Sequence, residues 1–175
     1  MSRMHKRTKK TVLIVGEGFT EFAFLQHIKE LFITRSSGIS VKVEHANGGA
    51  PEKIVEKALR LRTSKSYDSC FVLLDVDVPF EPTASLTRKM KRKPEIQVLS
   101  ATPCIEGLFL SVLDQINFLQ SSTNTRDCKR LFDNYVPSEK KTEKYSYRPI
   151  FTITVLQERR NSLPELDAIL KAMDV

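Results

Sequence analysis

The chain is short of residues that staple, span or carry a nucleophile. Three cysteines, Cys70, Cys104 and Cys128, lie far apart in its 175 residues. Their number and spacing suit neither a disulfide frame nor a zinc site, and imply reduced thiols in a cytoplasmic protein. No apolar run reaches the ~18 residues that suggest a membrane-spanning helix, so no membrane partner is expected. The basic opening, Met1 to Lys10, has no apolar segment of its own and meets a strand directly, which argues against a signal peptide. His5, His27 and His45 fall in a tail, a helix and a strand end. No serine and aspartate join them in a nucleophilic set, so each reads as a surface or structural residue. Neither G-x-G-x-x-G nor G-x-x-x-x-G-K-[ST] occurs, and acidic residues stand where phosphate-binding groups would be expected. There is no internal repeat, no low-complexity tract and no sign of a second domain.

What is present is positive charge and a regular alternation of elements. The net charge is +7 and the pI about 9.4, a balance that favours a polyanionic partner. Residues 1–10 read as a disordered basic arm, either a solvated tail or a contact for nucleic acid. Residues 11–175 read as one domain, long enough to build its own core.

Thr11 to Gly16 is a short β-branched run, buried on both faces in a parallel sheet. A helix is predicted from about Thr20 to Thr34, with Thr20 as its cap and Phe24, Leu25, Ile28, Leu31 and Phe32 inward. Ile39, Val41 and Val43 alternate with polar residues as an edge strand does. Pro51 opens a second helix, which ends near Thr63. Residues 69–74 form a third strand, and Ala84 to about Lys93 a short helix. A fourth strand covers Glu95 to Ser100, with Ile96 and Val98 inward. The next helix carries Leu108, Phe109, Val112, Leu113 and Ile116 on one face. Residues 120–125 are a polar loop, 126–135 a short helix and 137–148 charged and irregular. Residues 150–156 suit a strand or a helix start. Ser162 and Glu165 have capping-box spacing before a last helix with Leu166, Ile169, Leu170 and Met173 inward. This alternation predicts a small α/β fold, mostly parallel, with four strands in the order 2-1-3-4 and helices on both faces.

In such a sheet, ligands gather outside the carboxyl ends of the strands. The first strand ends in Glu17 and Glu21, and the third in Asp75 and Asp77. Adjacent strands would bring the four carboxylates to one patch, where they repel unless they are protonated or bind a cation. Hard divalent ions such as Mg²⁺ take oxygen sites of this kind. Glu21 in a first helical turn also satisfies the helix dipole. Glu106, at the next helix start after the fourth strand, either completes the acidic set or does the same. Arg88, Lys89, Lys91, Arg92 and Lys93 place five positive charges in six residues. They form either a solvated face or a grip on phosphates.

The glutamate after strand one and the Asp-x-Asp after strand three resemble the Toprim domain of topoisomerases, primases and nucleases. Three ordered blocks narrow the resemblance: Val15-Gly-Glu-Gly-Phe-Thr-Glu21, Leu73-Leu-Asp-Val-Asp77 and Thr102-Pro-Cys-Ile-Glu106. They look like those of the RloB-like branch, related to the OLD nucleases and tied to bacterial defence loci. In that branch the third block usually opens on asparagine and runs to a histidine. Here Thr102, Leu108 and Val112 stand at those places, so no histidine role carries over.

The resemblance implies hydrolysis of nucleic-acid phosphodiesters with Mg²⁺ or Mn²⁺. Glu17, Asp75 and Asp77 would be the catalytic carboxylates, with Glu21 and Glu106 as further metal ligands. The alternative it implies is a Toprim-like subunit without catalysis, binding nucleic acid or sensing it beside an ATPase from the same locus.

Overall fold

The structure is a computed structural model and describes residues 9–113 and 124–175. The basic arm over 1–8, Ile116 and most of the 120–125 loop lie outside the described residues. Four strands, β1 (Lys10–Gly16), β2 (Ile39–His45), β3 (Ser69–Asp75) and β4 (Ile96–Ala101), alternate with α1 (Phe19–Phe32), α2 (Pro51–Ser64) and α3 (Ala84–Met90). After β4 come α4 (Ile105–Val112), α5 (Thr125–Phe132), α6 (Ile153–Arg160) and α7 (Pro164–Ala172), with two 3₁₀ turns at Ser138–Lys140 and Lys144–Tyr147. The sheet is parallel throughout and its order is β2-β1-β3-β4, as the strand-helix alternation requires.

β1 is central and explains the two-layer core. Val12 and Ile14 point to the layer of α1, α4 and the carboxyl-terminal helices; Leu13 and Val15 point to the layer of α2 and α3. All four are fully buried, so a continuous apolar run serves both faces. On the first layer the rings of Phe24, Phe109, Phe132, Tyr147 and Phe151 pack together. The charged stretch 137–148 therefore has a structural task. It folds back over α1 and α4, buries Tyr147, and donates its hydroxyl to the Lys141 carbonyl at 2.7 Å.

Several local expectations are corrected. Thr20 is not the cap of α1; Gly18 is, and the Glu21 carboxylate accepts from the Gly18 N–H at 2.8 Å. Ser162 and Glu165 form no capping box. Ser162 donates to the Arg159 carbonyl at 3.0 Å, while Glu165 accepts from Thr102 N at 3.1 Å and Thr102 Oγ1 at 2.6 Å. Glu165 ties α7 to the end of β4, and that tertiary use displaces the local one. Val98 is 45% exposed because β4 is an edge strand covered fully on one face only, where Leu99 and Ala101 point. The ambiguity at 150–156 resolves to the start of α6, with Thr152 Oγ1 accepting from Val155 N at 3.3 Å.

Two glycines set how closely helices approach the strand ends. A Cβ on Gly16 would stand 2.7 Å from the Glu21 Cβ. One on Gly107 would stand 2.6 Å from Pro103 Cδ and 2.7 Å from the Thr102 carbonyl oxygen. Their bare backbone lets α1 and α4 begin hard against the sheet, carrying Glu21 and Glu106 with them.

Candidate functional site

β1 and β3 pair in register, Gly16 beside Leu73, so Glu17 and Asp75 leave neighbouring strand ends. A cavity of about 170 Å³ opens there, lined by Glu17, Gly18, Thr20, Glu21, Gly48, Asp75, Glu106 and Lys129. Four of the five carboxylates expected from the sequence meet in it. The fifth, Asp77, does not line it. Asp77 lies in the turn after β3, where its Oδ2 accepts from Thr125 Oγ1 at 2.7 Å and its N–H donates to the Pro103 carbonyl at 3.0 Å.

Different elements close on each of these residues. The Glu17 carbonyl accepts from Gly48 N at 2.8 Å and Ala46 N at 3.2 Å, which folds the β2–α2 loop onto it. That loop runs through positive φ at Asn47, Gly48 and Gly49, where glycine costs least. Asp75 Oδ1 accepts from Ile105 N at 2.9 Å at the start of α4. Glu106 is 4% exposed; its Oε1 lies 3.6 Å from Lys141 Nζ, and its Oε2 is buried with no hydrogen-bond partner.

The electrostatics follow from this crowding. Burial, and then the charges of Glu21, Glu17, Glu106 and Asp77, push the Asp75 carboxyl up to about 8. Burial and Asp77 raise Glu17, with Lys129 opposing. Burial raises Glu21, helped by Glu106 and Glu17 and opposed by the backbone donors around it.

Two lysines answer the charge, and neither stands out in the sequence. Lys129, from α5, lines the cavity. Burial works against its charge, but Glu106, Cys104, Asp75 and Asp77 hold its pKa above the usual lysine value. Lys141 is buried between Glu106 and Asp133, 2.8 Å from the latter, and donates to the Lys129 carbonyl at 3.2 Å. A lysine in a charged, irregular stretch looks solvent-facing, and only the fold shows otherwise.

Among the described residues, no three His, Cys, Asp or Glu side chains are gathered as a ready-made metal-ligand group. Glu17 and Asp75 share the cavity, and Asp77 stands outside its lining. Asp75, Glu21 and Asp77 are each drawn to a separate donor, and like charges keep apart. The donor chemistry nonetheless fits a hard dication. The cavity gathers four carboxylates, one oxygen of Glu106 lacks a partner, and burial beside the other carboxylates raises the Asp75 carboxyl, a penalty that a bound cation would relieve.

Arg88 to Lys93 is not at this site. The segment ends just before β4 begins, at the amino edge of the sheet. Strands of six or seven residues put about 20 Å between that edge and the carboxylates. Phe19, at the start of α1, is exposed and packs against His45 with the rings tilted and their centroids 4.1 Å apart. His27 is buried and bonds the Phe151 carbonyl at 2.7 Å, a structural role.

The fold and the cavity define an α/β protein with a parallel sheet and an acidic site at its central strand ends. The chain belongs to the RloB-like protein family, whose sequence model matches residues 12–173. No curated protein and no solved structure matches the chain. Among the described residues no helix is long and apolar enough to cross a membrane.

Proposed function

We propose that the cavity of Glu17, Glu21, Asp75 and Glu106 binds Mg²⁺ or Mn²⁺, and that the protein hydrolyses phosphodiester bonds of nucleic acid. The observation that carries the reading is the partnerless Glu106 oxygen, buried in a small cavity beside a carboxyl raised to about 8. When bound, such an ion polarises phosphate oxygens and acidifies water. Asp77, at the rim, would join the set by leaving Thr125.

The chain's own residues have distinct tasks in this reading. Glu17 has a raised pKa and is half-buried, which suits a group that orients water and accepts its proton. Asp75, fixed by the Ile105 N–H, stays the shared ligand. Lys129 is the cation in the cavity and would hold a phosphate oxygen as negative charge grows on it. Lys141 keeps Glu106 in place from behind. Arg88, Lys89, Lys91, Arg92 and Lys93 would bind backbone phosphates without reading sequence. The Toprim resemblance of the three blocks brings with it a role in bacterial defence, an ATPase partner and a cytoplasmic setting, where the buried unbridged cysteines stay reduced.

The test is incubation with DNA and RNA in Mg²⁺ or Mn²⁺, with and without chelator, alone and with the ATPase. Cleavage that chelator abolishes is expected. Its absence in every condition would sink the nuclease reading. A second reading, a subunit that binds nucleic acid without cutting, draws on the separate hydrogen bonding of the carboxylates and on Asp77 outside the cavity.

A further inference from the structure

We infer that the amino edge of the sheet carries a second phosphate-binding surface, centred on Lys65, Lys91, Arg92 and Lys93, which grips long nucleic acid about 20 Å from the carboxylate cavity. The inference rests on the reading of nucleic acid as substrate and names the part of that substrate this surface holds.

Three observations support it. The first is unspent charge. Some of the chain's cations are paired, Lys10 with Asp174, Lys42 with Glu44, Arg160 and Lys171 with Asp167. Among the described residues no carboxylate lies within ion-pair distance of Lys65, Lys91, Arg92 or Lys93, and all four are exposed. Of the acids nearby, Asp68 is committed to Thr11 N and Oγ1 at 2.7 and 2.8 Å, and Glu95 is exposed beside Lys91 and Lys93.

The second observation is a fixed scaffold. Arg62, in the last turn of α2, spends its guanidinium on carbonyls of the basic segment. It donates to Arg92 at 2.8 Å, Pro94 at 2.9 Å, Lys89 at 3.1 Å and Met90 at 3.5 Å. Such a clamp presents the surrounding cations in one arrangement, so less chain entropy is lost when a ligand binds.

The third is shape. An open cavity of about 510 Å³ is lined by Arg62, Lys65, Tyr67, Arg92, Lys93 and Pro94 among others. It gives the phosphates a concave seat, with an aromatic ring in its wall.

Distance then fixes the kind of substrate. At physiological salt, exposed charges more than ~8 Å apart are largely screened, so this edge does not steer a phosphate into the cavity electrostatically. Only a strand that physically reaches both regions couples them, and 20 Å of duplex is about six base pairs. Long strands gain from the edge; short ones use the cavity alone.

The test uses the full chain and two readouts. In chelator, anisotropy with duplex DNA and duplex RNA of about 30 base pairs reads binding without cleavage. The variant Lys65→Ala/Arg92→Ala/Lys93→Ala should lower the slope of log affinity against log salt by about 0.9 for each phosphate it no longer neutralises. Arg62→Lys keeps the charge but loses the fourfold clamp, and should weaken the same binding. With Mg²⁺, the triple variant should raise KM for the long duplexes and leave KM unchanged for dinucleotides, which are too short to reach the edge from the cavity. An unaltered salt slope overturns the surface and leaves an acidic protein as its partner. A KM rise equal at both lengths overturns its remoteness from the cavity. Absence of cleavage with the slope change intact defeats the nuclease reading alone and leaves this surface standing.

Discussion

Asp75 ends β3 with one carboxylate oxygen already committed to the Ile105 N–H. An asparagine can keep that bond through its amide oxygen while removing the charge. Asp75→Asn should therefore fold and lose cleavage by at least a hundredfold, about 3 kcal/mol of transition-state stabilisation. It should also change the pH dependence of stability. A carboxyl whose folded pKa exceeds its unfolded one favours folding while it is protonated. Its contribution is full below the usual ~4 and is lost as pH rises towards about 8. His27, lowered by burial, works in the opposite sense near neutrality, so the two proteins must be compared. In chelator, the stability of Asp75→Asn relative to wild type should rise between roughly pH 4 and 8 in urea titrations. A constant difference would mean that Asp75 ionises normally.

Lys129 and Lys141 make a paired prediction at the same scale. Lys129→Met removes the cavity's cation and should depress cleavage while sparing the fold, as circular dichroism would check. Lys141→Met instead strands the buried Glu106 and should cost on the order of 3 kcal/mol of stability in urea titration, because a buried charge loses its partner.

Besides the local cap between Gly18 and Glu21, close approach of elements places these side chains. α4 can start against β4 only because Gly107 has no side chain. Gly107→Ala would press on Pro103 and on backbone at Thr102, which cannot give as a flexible side chain would. An overpacking cost of about 1–3 kcal/mol is expected, read as a lower melting temperature. Manganese binding should weaken with it, since Glu106 moves with the helix. At α6, Thr152→Ala removes a cap and should cost about 1 kcal/mol without touching the site. A loss of metal binding in Thr152→Ala would contradict the independence of α6 from the cavity.

At the scale of the molecule, acid and base are sorted to opposite edges of one sheet. The carboxyl edge gathers four carboxylates against Lys129, and the amino edge presents unpaired cations around Arg62. Divalent metal should raise the melting temperature of wild type and do so less for Asp75→Asn, since only ligands of the folded state stabilise it by mass action. Equal shifts in both proteins would place the metal elsewhere.

The sequence by itself determined the sheet and the chemistry of its carboxyl edge. Continuous apolar runs at 11–16 and 69–74 can be buried on both faces only in the middle of a parallel sheet. That makes them neighbours, as in the order 2-1-3-4, and sends Glu17 and Asp75 to one place. Helical spacing, with Gly16 and Gly18 at the exit of the first strand, put Glu21 at a helix start, and the apolar stripe from Leu108 put Glu106 at another. The tertiary structure alone decided what depends on long-range neighbours. Glu165 abandoned its own helix for Thr102, Asp77 turned to Thr125, and the basic segment reached the amino edge because α3 runs back along the sheet. Lys129 and Lys141 entered or backed the site from a stretch whose composition marks it as surface. A side chain's partner is set by which distant elements pack beside it, and no local spacing in the sequence encodes that.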